Sequence, residues 1–265
     1  MLIAAPASGA QVALYSSMPA AAAVIGAAAA VIRRPGETVR SYIQHFAAGV
    51  IFAIVAGELL VDLKRIHAVT EIIIGFCGGV LAMLTLRSLM ARFAPETAER
   101  PVTPVTDPLG ASNEAIAAKN ENFPLGFIVA VAVDLVVDGL LIGVGFAAGA
   151  GTGRLLAIAL TIELLSLGLA VAVQLSDRVA SRWRVLLSVT GLAILFTITA
   201  VSGATLFRNL PDFLLATVLS FGVAALLFLV TEELLVEAHE VPETPVSTAM
   251  FFLGFLSLFI LELVG

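Results

Sequence analysis

The sequence predicts an all-α polytopic membrane protein of about eight spanning helices in a single bundle. Three observations predict it. The chain of 265 residues is 60% hydrophobic and 13% charged, where a soluble domain carries about 25% charged residues. Its mean hydropathy is +1.06, which favours lipid over water as solvent for most of its surface. Apolar runs of roughly 20 residues, the length that crosses the hydrocarbon core, recur from end to end.

The runs are read in order. The first extends from about Ser8 to Ile32 and stops at Arg33-Arg34-Pro35-Gly36. No basic stretch precedes it, so it reads as a span and not as a cleaved signal. The second extends from about Tyr42 to Asp62, and the third from about Ala68 to Arg92. The polar stretch at about 93–123, rich in proline, threonine and charge, reads as a flexible cytoplasmic loop inserted in a single domain spanning 1–265. The fourth run starts after Pro124 and ends in Ala-Ala-Gly-Ala-Gly-Thr-Gly; the fifth follows Arg154 and ends near Asp177. The sixth covers Arg184 to Phe207, the seventh Pro211 to about Glu237, and the eighth Val246 to the C-terminus. Proline and glycine mark these ends, as helix stop and start chemistry requires.

Basic residues set the expected orientation. The first loop holds Arg33, Arg34 and Arg40; the third holds Arg87, Arg92, Arg100 and Lys119; the fifth holds Arg178, Arg182 and Arg184. The even loops hold only Lys64, Arg65, Arg154 and Arg208. The odd loops are therefore expected in the cytoplasm and both termini outside. No basic patch with interleaved aromatics occurs, which argues against nucleic acid as a partner. Cys77, the single cysteine, lies in an apolar run and reads as a buried structural thiol.

Three carboxylates interrupt the apolar pattern: Asp134 and Asp138 in the fourth run and Glu163 in the fifth. Each costs about 2.5–3.5 kcal/mol at a bilayer centre on insertion scales, so such residues are functional by default. Asp134 and Asp138 are four residues apart and share a helix face. Two carboxylates that close repel unless a cation or proton lies between them. Glu163 can close the same site, and Ser166, three residues on, adds a neutral oxygen. The competing readings are protonated acids hydrogen-bonded within the bundle and a proton relay without metal. No His or Cys accompanies the three acids, so the donor set suits Mg²⁺, Mn²⁺, Ca²⁺ or Fe²⁺ and lowers zinc without removing it. The sequence echoes itself here: Asp134-Leu-Val-Val-Asp-Gly139-Leu140 resembles Glu163-Leu-Leu-Ser-Leu-Gly168-Leu169, as expected of paired elements around one transporter site.

Two further acidic groups flank this centre. Glu58 and Asp62, followed by His67 and Glu71, lie at the outer end of the second run and can attract cations to an entrance. Glu232, Glu233, Glu237, His239 and Glu240 lie at the cytoplasmic end of the seventh, where Glu233, Glu237 and His239 can form an exit. The plainer readings are an ordinary polar membrane boundary and a solvated helix end. His45 reads as an interface residue. An enzyme is not expected: an intramembrane aspartyl protease needs two aspartates facing each other from separate helices, whereas Asp134 and Asp138 share one, and no His or Lys base lies mid-span for a serine protease.

The segments FAAGVIFAIVAGELLVDL, FGVAALLFLVTEELLVEAH and FFLGFLSLFILELVG, with the helix count and the long third loop, resemble the second, seventh and eighth helices of the ZIP (Zrt-, Irt-like) family of divalent-metal transporters. The family's fourth helix typically reads His-Asn-x-x-Glu/Asp-Gly; the same frame here is Asp134-Leu135-Val136-Val137-Asp138-Gly139. Its fifth typically reads His-Glu/Asn-x-Pro-Glu-Gly; here it is Glu163-Leu164-Leu165-Ser166-Leu167-Gly168. Both histidine positions are acids. Leu135 and Leu164 occupy second-metal positions, and Ile194 stands at the nearest frame to a further acid of the sixth helix. The resemblance implies a bacterial-type member in an inner membrane, termini periplasmic, with lipid around it and a homodimer as one arrangement open to it. It implies one metal position, built by Asp134, Asp138 and Glu163, and a divalent cation (Zn, Mn, Fe, Mg or Cd) as substrate moving toward the cytoplasm, with no organic cofactor. It also implies rocking or elevator-like movement of one helix group against another. The alternative is a transport-inactive or regulatory homologue, given the lost ligands.

Overall fold

The computed structural model describes residues 8–66, 68–93, 125–179 and 181–264. The polar segment expected as a loop falls almost wholly outside the described residues, as does His67. Eight helices are long and apolar enough to cross a membrane, and no strand occurs among the described residues. They are α1 (Gly9–Ile32), α2 (Glu37–Ile66), α3 (Val69–Phe93), α4 (Leu125–Ala148), α5 (Ala150–Arg178), α6 (Arg182–Phe207), α7 (Asp212–Ala238) and α8 (Pro245–Val264). The chain is an all-α integral membrane protein. Large apolar side chains are exposed along whole helix faces, among them Ile73, Ile74, Leu81, Ile198, Phe252 and Leu256. So broad an apolar surface belongs against lipid. In the apolar 18-residue stretch of each helix, only 17% of the residues of α3 and of α8 are buried, against 67% in α5 and 61% in α7, so α5 and α7 are central and α3 and α8 peripheral.

Two helix starts differ from the sequence reading. α2 begins at Glu37, because Gly36 supplies an extended cap and Glu37 an acid in the first turn; the polar turn before the apolar run is helical too. α5 begins at Ala150, so the last residues of the glycine-rich stretch read as the end of the fourth run, Ala150 to Gly153, are its first turn. There Gly153 lies directly against the ring of Phe146, a contact that a side chain would block. Cys77 corrects the expectation of a buried thiol: it is exposed, on the lipid-facing side of α3.

Glycines decide which helices approach closely, as small residues do when the lipid gives no hydrophobic drive to association. A side chain at Gly26 of α1 would strike the Leu165 backbone of α5, and one at Gly168 of α5 would strike Ala23 of α1. The same reciprocity joins α2 to α8 through Gly49 and Gly254, and α4 to α6 through Gly143 and Gly203. Gly75 and Gly79 seat α3 on α7. With α1 also packed on α6, the helices form two groups, α1/α4/α5/α6 and α2/α3/α7/α8. Exchanging α1 with α6, α2 with α7, α3 with α8 and α4 with α5 maps each principal contact onto another or, for α1 with α6 and α4 with α5, onto itself. Since α1 and α6 run in opposite directions, this is an inverted repeat. The echo between the fourth and fifth runs obeys it: Gly139 seats α4 on Phe196 and Thr199 of α6, as Gly168 seats α5 on α1.

A second echo obeys it too. Gly57-Glu58-Leu59-Leu60-Val61-Asp62 in α2 matches Glu232-Glu233-Leu234-Leu235-Val236-Glu237 in α7. Both segments enter through a π-helical turn, at Val55–Leu59 and Leu229–Leu234. Such widened turns recur at functional sites.

Candidate functional site

The acids of α4 and α5 are buried where the two helix groups meet. Asp134 is 9% exposed, Asp138 3% and Glu163 2%; Ser166 is buried beside them. Their helical spacing places them on inward faces, and the glycine seals of α4 on α6 and α5 on α1 hold those faces toward α2 and α7. Asp134, Glu163 and Ser166 line a cavity of about 40 Å³ with Gln44 of α2 and Glu233 and Glu237 of α7. On the same measure roughly 10–15 Å³ holds one water, so the cavity has room for an ion and a water or two. Asp138 lies one turn deeper along α4 and is not part of that lining.

The site gathers acids at close quarters. Asp138 is in electrostatic reach of Glu163, Asp134 and Glu233, and Glu163 of Asp134 and Glu233. The basic neighbours of the cluster are Arg87, near Glu233, and Arg40, near Glu237. Both sit at its rim, where Arg87 pairs with Glu232 and Arg40 with Glu240, the latter at 2.8 Å. Buried charge without a partner is costly, and among the described residues the buried ionisable groups around the cavity are all acids. Asp138 Oδ2, Glu163 Oε2 and Gln44 Oε1 are buried with no hydrogen-bond partner. Among the described residues, no three His, Cys, Asp or Glu side chains converge on one point as metal ligands. The acids ring the cavity and do not meet in it, so enclosing an ion requires carboxylate rotation or neutral oxygens.

Toward the face where α1, α3, α5 and α7 end, the cavity continues into a vestibule of about 280 Å³ that shares Asp134, Glu233 and Glu237 and adds Arg87, Gln174 and Glu232. Glu233 and Glu237 thus belong to the same space as the mid-span acids. His239 does not; it pairs with Glu243 at 2.9 Å and meets His45 edge to face. His45 is buried, with Nδ1 2.8 Å from the Ser41 carbonyl oxygen. Ile194 is 56% exposed, so the sixth helix does not direct it to the site.

On the opposite face Glu58 lines an open pocket of about 460 Å³ with Tyr15, Arg154 and Glu262. Asp62 stands beside Glu58: the Thr152 hydroxyl lies 3.2 Å from Glu58 Oε1 and 3.0 Å from Asp62 Oδ2. Between this pocket and the cavity come the fully buried Ile51 and Ile54 of α2, Ile142 of α4, and Leu156 and Leu160 of α5. From Gln44 to Glu58 α2 climbs about 21 Å, at 1.5 Å per residue. Sequence reasoning missed Gln44, Thr152 and Glu262. The Gln44-His45 pair ahead of an apolar run resembled an interface signal, and the match of GELLVD with EELLVE was the cue that related the two acidic ends.

No family model and no curated protein matches the chain.

Proposed function

We propose that this protein is a ZIP-like permease that carries a divalent metal cation across the membrane, toward the cytoplasm, through the carboxylates Asp134, Asp138 and Glu163. The observation that carries the reading is the buried cluster of acids at and beside a small cavity, with orphaned oxygens on Asp138 and Glu163. Such a cluster needs a positive ion or protons to exist in a membrane. The odd-loop face, rich in arginine, is the cytoplasmic one and both termini are periplasmic, in a bacterial inner membrane. The cation enters past Glu58 and Asp62, binds among the mid-span acids, and leaves past Glu233 and Glu237. The acids come from both helix groups, so sliding of one group against the other would open the site to either side.

The test is uptake of Mn²⁺ and Zn²⁺ into proteoliposomes. Asp138→Ala is expected to abolish it, and unchanged uptake sinks the assignment. A second reading, a transport-inactive regulatory relative, draws on the failure of three acids to converge. Calorimetric titration separates the two, because the second predicts no binding of any divalent ion.

A further inference from the structure

We propose that the Gln44 amide oxygen is a ligand of the transported cation, at a position displaced from Asp138 toward the vestibule. The inference rests on the permease reading. Gln44 is 1% exposed and lines the cavity. Its Nε2 donates to Glu237. A carboxylate accepts and does not donate, so this bond fixes the amide with its oxygen turned away from Glu237. That oxygen is buried and has no partner. A neutral carbonyl placed among acids is a customary component of hard-cation sites.

The donors around the cavity come from both helix groups: Asp134, Glu163 and Ser166 on one side, Gln44, Glu233 and Glu237 on the other. All are oxygens. Neither His45 nor His239 lines the cavity, and Cys77 is exposed on α3. The position therefore suits Mn²⁺ or Mg²⁺ over ions that prefer nitrogen or sulfur. An ion here ties α2 and α7 to α4 and α5. Asp138, a turn deeper and nearer the entrance, would hold the ion before it passes to Gln44.

The experiment is calorimetric titration of the purified full chain in detergent with Mn²⁺ and with Zn²⁺, for wild type, Gln44→Met, Gln44→Asn and Gln44→His. Gln44→Met keeps the bulk and removes the oxygen; Mn²⁺ affinity is expected to fall about tenfold, and Gln44→Asn to recover part of it. Gln44→His offers nitrogen, so the Zn²⁺ to Mn²⁺ affinity ratio is expected to rise about tenfold and the Co²⁺ d–d spectrum to shift. The ratio is read on one preparation, so partial unfolding lowers both affinities and leaves it unchanged. A ratio and a Co²⁺ spectrum identical in all four proteins, with Asp138→Ala still abolishing binding, overturns the Gln44 assignment and leaves the permease reading standing. No binding of any of the three ions to wild type overturns both.

Discussion

Glu58 and Asp62 in α2 and Glu233 and Glu237 in α7 stand on one six-residue frame, the first acid of each pair inside the same widened helical turn and the second just after it, at opposite ends of an inverted repeat. Their surroundings differ. The α2 pair meets the start of α5, where the Thr152 hydroxyl serves both carboxylates, and opens into a wide pocket shared with Arg154. The α7 pair meets Gln44, Asp134 and Glu163 around a small cavity, with both arginines held at the rim. Local sequence therefore sets acid spacing and backbone, while the helix packed opposite decides whether the acids are a surface feature or part of a charged interior.

The largest contrast is expected in transport. If the permease reading holds, Glu163→Ala, which removes a buried acid, should lower initial Mn²⁺ uptake into proteoliposomes about 100-fold, whereas Glu58→Ala at the wider pocket should cost only about fivefold. Equal losses would make the outer pair a binding site in its own right. Next come the seals. Gly168→Ala drives a methyl into the Ala23 backbone and is expected to cost about 1–3 kcal/mol in thermal unfolding. Gly78→Ala, which meets open space, is expected to be neutral or stabilising by up to about 1 kcal/mol. Smaller again, Thr152→Val and Ser41→Ala each remove one hydroxyl, from the outer acids and from the Ala238 carbonyl respectively. Each should cost about 1 kcal/mol, read from melting in detergent. Least of all, Arg87→Gln breaks an exposed pair with Glu232 and is expected to cost about 0–1 kcal/mol, vanishing in high salt.

The helix count and most ends were legible in the sequence because lipid imposes one rule, a run of apolar residues long enough to span. The start of α5 was not. Glycine reads locally as a breaker, but Gly153 is helical because Phe146 needs the space where a side chain would stand. Asp134, Asp138 and Glu163 were legible as charges out of place. Gln44 was not, because an uncharged polar residue at the start of a span carries no energetic alarm; only its pairing with Glu237 from a distant helix gives it meaning. Cys77 misled for a related reason: an apolar neighbourhood in sequence means burial in a soluble protein and, in a bilayer, equally means contact with acyl chains.

The unlike neighbours of the two repeated frames have a consequence for conformation. Halves of like sequence in unlike settings record which way the molecule faces. If the halves trade settings, Glu58 and Asp62 become the pair beside the narrow cavity and Glu233 and Glu237 the pair at the wide pocket, and the barrier of Ile51, Ile54 and Leu160 must re-form nearer the other side. A cysteine placed at each frame in turn, in a Cys77→Ser background, and probed with a membrane-impermeant reagent from each side, would then report the two states as opposite labelling patterns of one protein.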